Sequence, residues 1–203
     1  MYILIEKRVL DKIMLTSQIK YRYKKINKKR LCQGDILRGV EFKIGDSNYG
    51  GKSDTVGLKY AVVMSQDCDI NSDFLNKEKK KSNPDADDDK FLPTILVCPA
   101  YISGEFYIGS HINGWSMKPF SKKEIEKLMK NDEYKRYHYL HQNNDLGIPE
   151  LIIDFKHFFT LPVGLLYKYK KTSYISTISE VFREELSQRF AGYLSRFGLP
   201  DLK

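Results

Sequence analysis

Gln33-Gly34-Asp35-Ile36-Leu37 and Lys59-Tyr60-Ala61-Val62-Val63-Met64-Ser65-Gln66-Asp67-Cys68-Asp69 decide how this chain is read. The first is a Gly-Asp turn feeding an apolar run; the second is a β-branched run that stops abruptly in polar side chains. The pattern predicts strands over 35–44 and 58–65, joined through a turn-rich loop at 45–54 into a long-looped hairpin. At the exit of the second strand, Gln66, Asp67, Cys68 and Asp69 gather an amide, two carboxylates and a thiol. In an extended backbone Asp67 and Asp69 share one face, where two carboxylates can hold a proton or a hard cation between them. A thiol between carboxylates is disfavoured as a thiolate, so Cys68 is a poor nucleophile. The alternative for this segment is a turn whose carboxylates accept backbone N–H groups.

Outward from the hairpin, residues 71–90 turn polar, with Lys77, Lys79, Lys80 and Lys81 followed by Asp85, Asp87, Asp88 and Asp89. Such a composition reads as a mobile insertion. A strand is expected over 93–98, ended by Pro99, with a further extended piece at 105–108. Ser121 and Glu124 form a capping box, predicting a helix with Ile125, Leu128 and Met129 as its inner stripe. The run 151–160 reads as one strand and 173–177 as a shorter one. Phe182, Leu186, Phe190, Tyr193, Leu194 and Phe197 recur at helical spacing after a cap at Thr177 or Ser179, and Gly198 with Pro200 ends that helix.

The chain has 203 residues and a formal charge of +8, and residues 1–30 carry the whole excess, with ten Lys or Arg against Glu6 and Asp11. Within this stretch Lys20 to Arg30 interleaves Tyr21 and Tyr23 with basic residues that include Lys24, Lys25, Lys28, Lys29 and Arg30, the composition of a phosphate-binding arm. A solvated extension is the plainer alternative, and Met14 is a second candidate start. The expected division is a basic arm over 1–30 and one compact α+β domain over 31–203. No window reaches the apolar length of a membrane span, so no membrane partner and a cytoplasmic location are expected. Cys32, Cys68 and Cys98 read as reduced thiols. There is no P-loop, dinucleotide fingerprint, Gly-x-Ser-x-Gly elbow or zincin motif, which argues against ATPases, Rossmann oxidoreductases and the familiar hydrolases. No cofactor is expected.

Two smaller signals carry chemistry. Asp154-Phe155-Lys156 after an apolar run is the acid-x-Lys half-motif of metal nucleases, with neither Glu150 nor Asp85 well placed as the second acid. His138 and His141, if helical, share a side and could join Cys68 or Cys98 around zinc, though packing or a stacking surface is the simpler account.

The order Gly34-Asp35-Ile36, then Lys59 to Ser65, then Ile95-Leu96-Val97-Cys98-Pro99 resembles the MazF/PemK-like toxins over roughly residues 33–100. The resemblance implies an Src-homology-3-like β-barrel and a metal-independent bacterial endoribonuclease. Lys59-Tyr60 stands where that family has Arg-Pro, and no Thr or Ser matches its later catalytic position. The second half resembles uncharacterised bacterial proteins. The expected fold is thus α+β: a small, mostly antiparallel barrel with an added mixed C-terminal portion closed by an amphipathic helix.

The expected function is that of a toxin-like or defence-associated protein engaging RNA or another nucleic acid. Lys59, Asp67 and Asp69 are its catalytic candidates, with Asp67 or Asp69 accepting the proton of a 2′-hydroxyl. Asp35, Gln66, Lys24, Lys25, Lys28, Lys29 and Arg30 are the binding candidates, and no residue is assigned to a metal. The competing class is a non-catalytic adaptor that associates with a protein partner or with itself through the C-terminal helix.

Overall fold

The computed structural model describes residues 22–26, 29–44, 54–83, 87–112, 114–131 and 134–195. Its strands are β1 (Tyr23–Lys24), β2 (Asp35–Ile44), β3 (Asp54–Val63), β4 (Thr94–Ile102), β5 (Tyr137–Leu140), β6 (Leu151–Asp154), β7 (Phe159–Pro162) and β8 (Tyr174–Ile178). Its helices are α1 (Asp67–Lys80), α2 (Ser103–Tyr107), α3 (Lys122–Met129), α4 (Val163–Thr172) and α5 (Glu180–Leu194). The strands form one antiparallel sheet in the order β1-β8-β2-β3-β4-β6-β5, with β7 also beside β4.

Among the described residues no pairing joins β5 or β7 back to β1, so the sheet is open and the expected barrel closure is not found. The reason lies in β4, which serves two partners along one edge. Thr94 to Val97 pair with β7, and Ala100 to Ile102 pair with β6. Pro99, expected to end the strand, falls in the gap between the two partners, where its missing N–H costs no ladder bond. The sheet divides at this point and splays instead of rolling up.

Period-two alternation sends neighbouring residues of the hairpin to opposite cores. Ile36, Tyr60 and Val62 pack with Cys98, Ile153 and Leu186 of α5, while Leu37, Ala61 and Val63 pack with Ile70 of α1, Leu161 and Leu166 of α4. A third cluster joins Phe106, Ile125 and Leu128 to Tyr137, Tyr139 and Ile152. Gly34 closes the turn before β2 with φ +80°, its N–H donating to Val63 O at 2.8 Å. A Cβ there would press on Ile178 Cβ at 3.1 Å, so the turn favours glycine on both grounds.

Several sequence expectations are corrected. The stretch expected to be a mobile insertion is largely helix α1, whose inward positions Ile70, Asp73 and Asn76 fall at helical spacing. Two of these three are polar, which is why composition concealed the buried face. The Asp73 carboxylate accepts from the Leu92 amide at 2.9 Å and from Lys77 at 2.7 Å, and Asn76 donates to Asp87 O, so they fasten the returning chain. The extended piece expected at 105–108 is mostly helix α2, which turns Phe106 into the third core. The single strand expected at 151–160 is two, because the Asp154 side chain caps the Lys156 amide and starts a 3₁₀ turn over Phe155–His157. The capping box at Ser121 is present, with Ile125 and Leu128 buried and Met129 exposed. Part of the expected basic arm is β1, with Tyr23 buried in the first core. The loop at 45–53, Phe197, Gly198 and Pro200 lie outside the described residues.

The outer edge of β5 is covered by side chains. Asn131, at φ 56°, accepts from the Tyr139 amide at 2.7 Å and donates to Tyr139 O at 3.3 Å. Arg189 of α5 donates to Tyr137 O at 2.8 Å and Tyr134 O at 3.1 Å, and to Asn131 O.

Asp35, a binding candidate on sequence, is wholly enclosed. It accepts from Lys170 Nζ at 2.8 Å, Thr177 Oγ1 at 2.6 Å and the Cys32 amide at 2.8 Å. Burial pushes its carboxyl up, while Lys170, Thr177 and the Cys32 amide pull it down. The Lys170 ammonium also sits 3.5 Å from the Tyr174 ring centroid. Lys170→Met strands the carboxylate and is expected to cost about 3–5 kcal/mol in urea unfolding. A loss below about 1 kcal/mol would deny the pair its structural role.

His138, also buried, lies on a strand and not the helix its spacing allowed; burial holds it down at about 3. The unfolded chain binds this proton near pH 6.5 and the native chain does not, so its contribution is complete above that value and is lost as pH falls toward 3. Equilibrium unfolding from pH 7 to 4 should show a decline of up to about 1.4 kcal/mol per pH unit from this group. That component should be absent in His138→Leu.

Candidate functional site

A cavity of about 650 Å³ opens between the Thr55–Lys59 stretch of β3, Tyr101, Glu105 of α2, the segment bearing Ser110, His111 and Trp115, and the turn at His157 with Phe159. Backbone geometry sets the middle wall. Gly109 has φ +67°, its carbonyl accepts from Met117 N at 3.2 Å, and a Cβ there would meet Met117 O at 2.1 Å. Only glycine lets the segment fold back on itself this closely. The fold-back stacks His111 on Phe106, with ring centroids 3.9 Å apart and planes 4° from parallel, and sets Trp115 at the mouth, 63% exposed. His111 is 4% exposed, and among the described residues neither ring nitrogen has a hydrogen-bond partner. Burial holds its pKa below the ordinary imidazole value, so the ring is neutral near pH 7 with one N–H to donate.

The opposite wall is a braced histidine. Asp154, 0% exposed, accepts a guanidinium fork from Arg136, Nε at 2.8 Å and Nη2 at 2.6 Å. His157 Nδ1 lies 2.8 Å from Asp154 Oδ2 and 3.4 Å from Arg136 Nη2. The shorter contact to a carboxylate assigns the proton to Nδ1, leaving Nε2 its lone pair. The Trp115 ring is centred 6.0 Å from the imidazole. Lys59 lines the same cavity with a largely exposed side chain, ion-paired to Glu105. Together these groups offer a base, a cation, an exposed indole and a neutral donor around one space.

The expected catalytic trio is divided. Asp67 and Asp69 lie in the first turn of α1, not along a strand. Asp67 belongs to a second cavity, of about 350 Å³, with Lys24, Lys25, Arg30, Glu180 and Arg183. It takes a fork from Arg30 at 3.0 and 2.8 Å and the Gln33 amide at 3.2 Å, with Arg183 3.7 Å away. Burial acts to raise the Asp67 carboxyl, but Arg30, Arg183 and the Gln33 amide hold it below the ordinary carboxylate value. Asp69 is exposed; Gln66 sits at the N-cap position without capping a backbone amide, its side chain 3.5 Å from Cys68 Sγ. Lys29 is exposed and Lys28 lies outside the described residues.

The acid-x-Lys signal resolves into Asp154, whose two oxygens are taken by Arg136, His157 and the Lys156 amide, and an exposed Lys156. Among the described residues no three His, Cys, Asp or Glu converge as metal ligands. Sequence reasoning passed over His111, Arg136 and His157. Asp154 with His157 three residues on was legible, since a turn after the strand brings those side chains together, and Gly109 ahead of His111 was a turn signal. Arg136 is eighteen residues from Asp154 and comes alongside only through β5–β6 pairing.

The His111 ring should stay neutral down through pH 6.5, read from its nitrogen shifts in an NMR titration. A midpoint above 6.5 would contradict the burial described. No protein-family model and no curated protein matches the chain.

Proposed function

We propose that the Lys59–His157 cavity binds single-stranded RNA and cleaves it by metal-independent acid–base chemistry. The observation that carries this reading is the Asp154-braced imidazole of His157, which lines the same cavity as Lys59 and Trp115 and whose Nε2 has no hydrogen-bond partner among the described residues. RNA supplies its own nucleophile, so the protein needs only a base, charge stabilisation and a grip on the strand. His157 Nε2 takes the 2′-hydroxyl proton; O2′ bonds to phosphorus; the P–O5′ bond breaks and the departing oxygen is protonated from solvent. The products are a 2′,3′-cyclic phosphate and a 5′-hydroxyl. Asp154 stabilises the imidazolium formed, and Arg136 holds Asp154. Lys59 opposes the negative phosphate oxygens, Trp115 stacks on an unpaired base, and the enclosed His111 ring backs the wall behind them.

In this reading Lys59 serves as the phosphate-facing cation, while Asp67 and Asp69 leave the reaction. The resemblance of residues 33–100 to the MazF/PemK-like toxins supports the same class of reaction and a toxin-like or defence-associated role. A second reading, an adaptor without catalysis, is favoured by the exposed apolar residues Val181 and Leu194 of α5 and Phe158 beside Phe190.

The test is incubation with a mixed single-stranded RNA pool, with and without EDTA, read by fragment sequencing and end-group analysis. EDTA-resistant cleavage with cyclic phosphate ends is expected, falling about 10²–10⁴-fold in His157→Gln. Trp115→Ala should weaken RNA binding by about 1–3 kcal/mol. Wild-type rates in both His157→Gln and Lys59→Ala would sink the assignment, and a folded protein that leaves RNA intact would favour the adaptor.

A further inference from the structure

We infer that the cavity beside α5 is a second site, for a phosphate group, built by Arg183, Arg30 and Lys25. Four cations line it, Lys24, Lys25, Arg30 and Arg183, against the two carboxylates of Asp67 and Glu180. Those carboxylates are already engaged. Glu180 is ion-paired with Lys24, and both Asp67 oxygens take the Arg30 fork. Among the described residues Arg183 comes within 4 Å of one carboxylate, Asp67 at 3.7 Å, beyond hydrogen-bond reach, and it lies near enough to Glu180 to help hold that carboxyl down. Its side chain is only 17% exposed, and among the described residues its guanidinium donates no hydrogen bond. Lys25 has no ion pair among the described residues. The space therefore carries two surplus positive charges, and the Arg183 guanidinium faces it without a hydrogen-bond acceptor among the described residues.

A phosphate entering this space offers several oxygens to the planar Arg183 fork and takes up the surplus positive charge. Asp67 shows that the cavity wall already accommodates an oxyanion, with two donors from Arg30, one from the Gln33 amide and Arg183 close by. Asp67 is an internal counterion sharing its cations with the ligand, so it tempers the affinity that Arg183 and Lys25 provide. Arg183 sits on a helix fixed by Phe182 and Leu186 in the first core, which holds its head group in position. The cavity suits a single phosphate group, whether free, terminal on an oligonucleotide or internal to a strand.

Equilibrium dialysis of the full chain at constant ionic strength, with inorganic phosphate and with 5′-phosphorylated and 5′-hydroxyl single-stranded RNA oligomers, tests the site. Inorganic phosphate binding supports the site with a free ligand. A preference for the 5′-phosphorylated oligomer supports a terminal phosphate, and equal binding of both oligomers that depends on Arg183 supports the strand backbone. In each case Arg183→Gln, and separately Lys25→Gln, is expected to weaken binding about tenfold. Asp67→Asn, with its fold checked by circular dichroism, is expected to strengthen it. Binding indifferent to Arg183 and Lys25, or no binding by any of the three probes, overturns the inference. His157→Gln should retain the phosphate affinity, which separates failure here from failure of the cleavage reading.

Discussion

The buried carboxylate of Asp35 is the fixed point around which the sheet is assembled. It stands at the first residue of β2 and holds Lys170 from α4, Thr177 from β8 and the amide of Cys32 from the preceding turn. An ion pair so enclosed adds little net stability over apolar residues of the same shape, but it tolerates no partial loss. Its value is in register. An apolar contact accepts many geometries, whereas a carboxylate taking three donors accepts few. The consequence is that β8, remote in sequence, is locked against β2 at the position where Ile36 pairs with Ser176 and the ladder then shifts before Leu37 meets Tyr174.

From that junction the sheet runs outward through β3 to β4, where it divides. β7 and β6 pair with successive halves of β4, and the turn joining them carries Phe155, Lys156 and His157. The candidate base therefore lies where the sheet splits, on a turn whose geometry is set by Asp154 at one end and β7 pairing at the other. The same carboxylate that turns the chain also orients the imidazole, so local folding and local chemistry share one side chain.

What could be read from the sequence, and what could not, follows from how far apart the interacting residues lie. The bounds of β2, the capping box at Ser121 and the C-terminal helix depend on neighbours within a few positions, and periodicity exposes them, although of the expected stripe Leu194 stays exposed while Phe182, Leu186, Phe190 and Tyr193 meet the first core. Helix α1 was hidden because Asp73 and Asn76, both polar, fill two of its three buried positions, and their partners Leu92 and Asp87 lie well along the chain. The role of Asp35 was misjudged for the same reason: its cation lies 135 residues away. In the candidate site, Lys59 was singled out only through the resemblance to the toxin family, whereas the grouping of His111, His157 and Arg136 exists only once the third core has folded.

An open sheet leaves an outer strand, and β5 would present its backbone groups to any extended segment that approached. Here that edge is occupied from within. Asn131, in the left-handed conformation, takes both backbone groups of Tyr139, and Arg189 takes the carbonyls of Tyr137 and Tyr134 before it. The two side chains imitate an additional strand that cannot itself be extended. The helix that seals the first core thus also closes this end of the sheet, which keeps the β5 edge from pairing with an approaching strand.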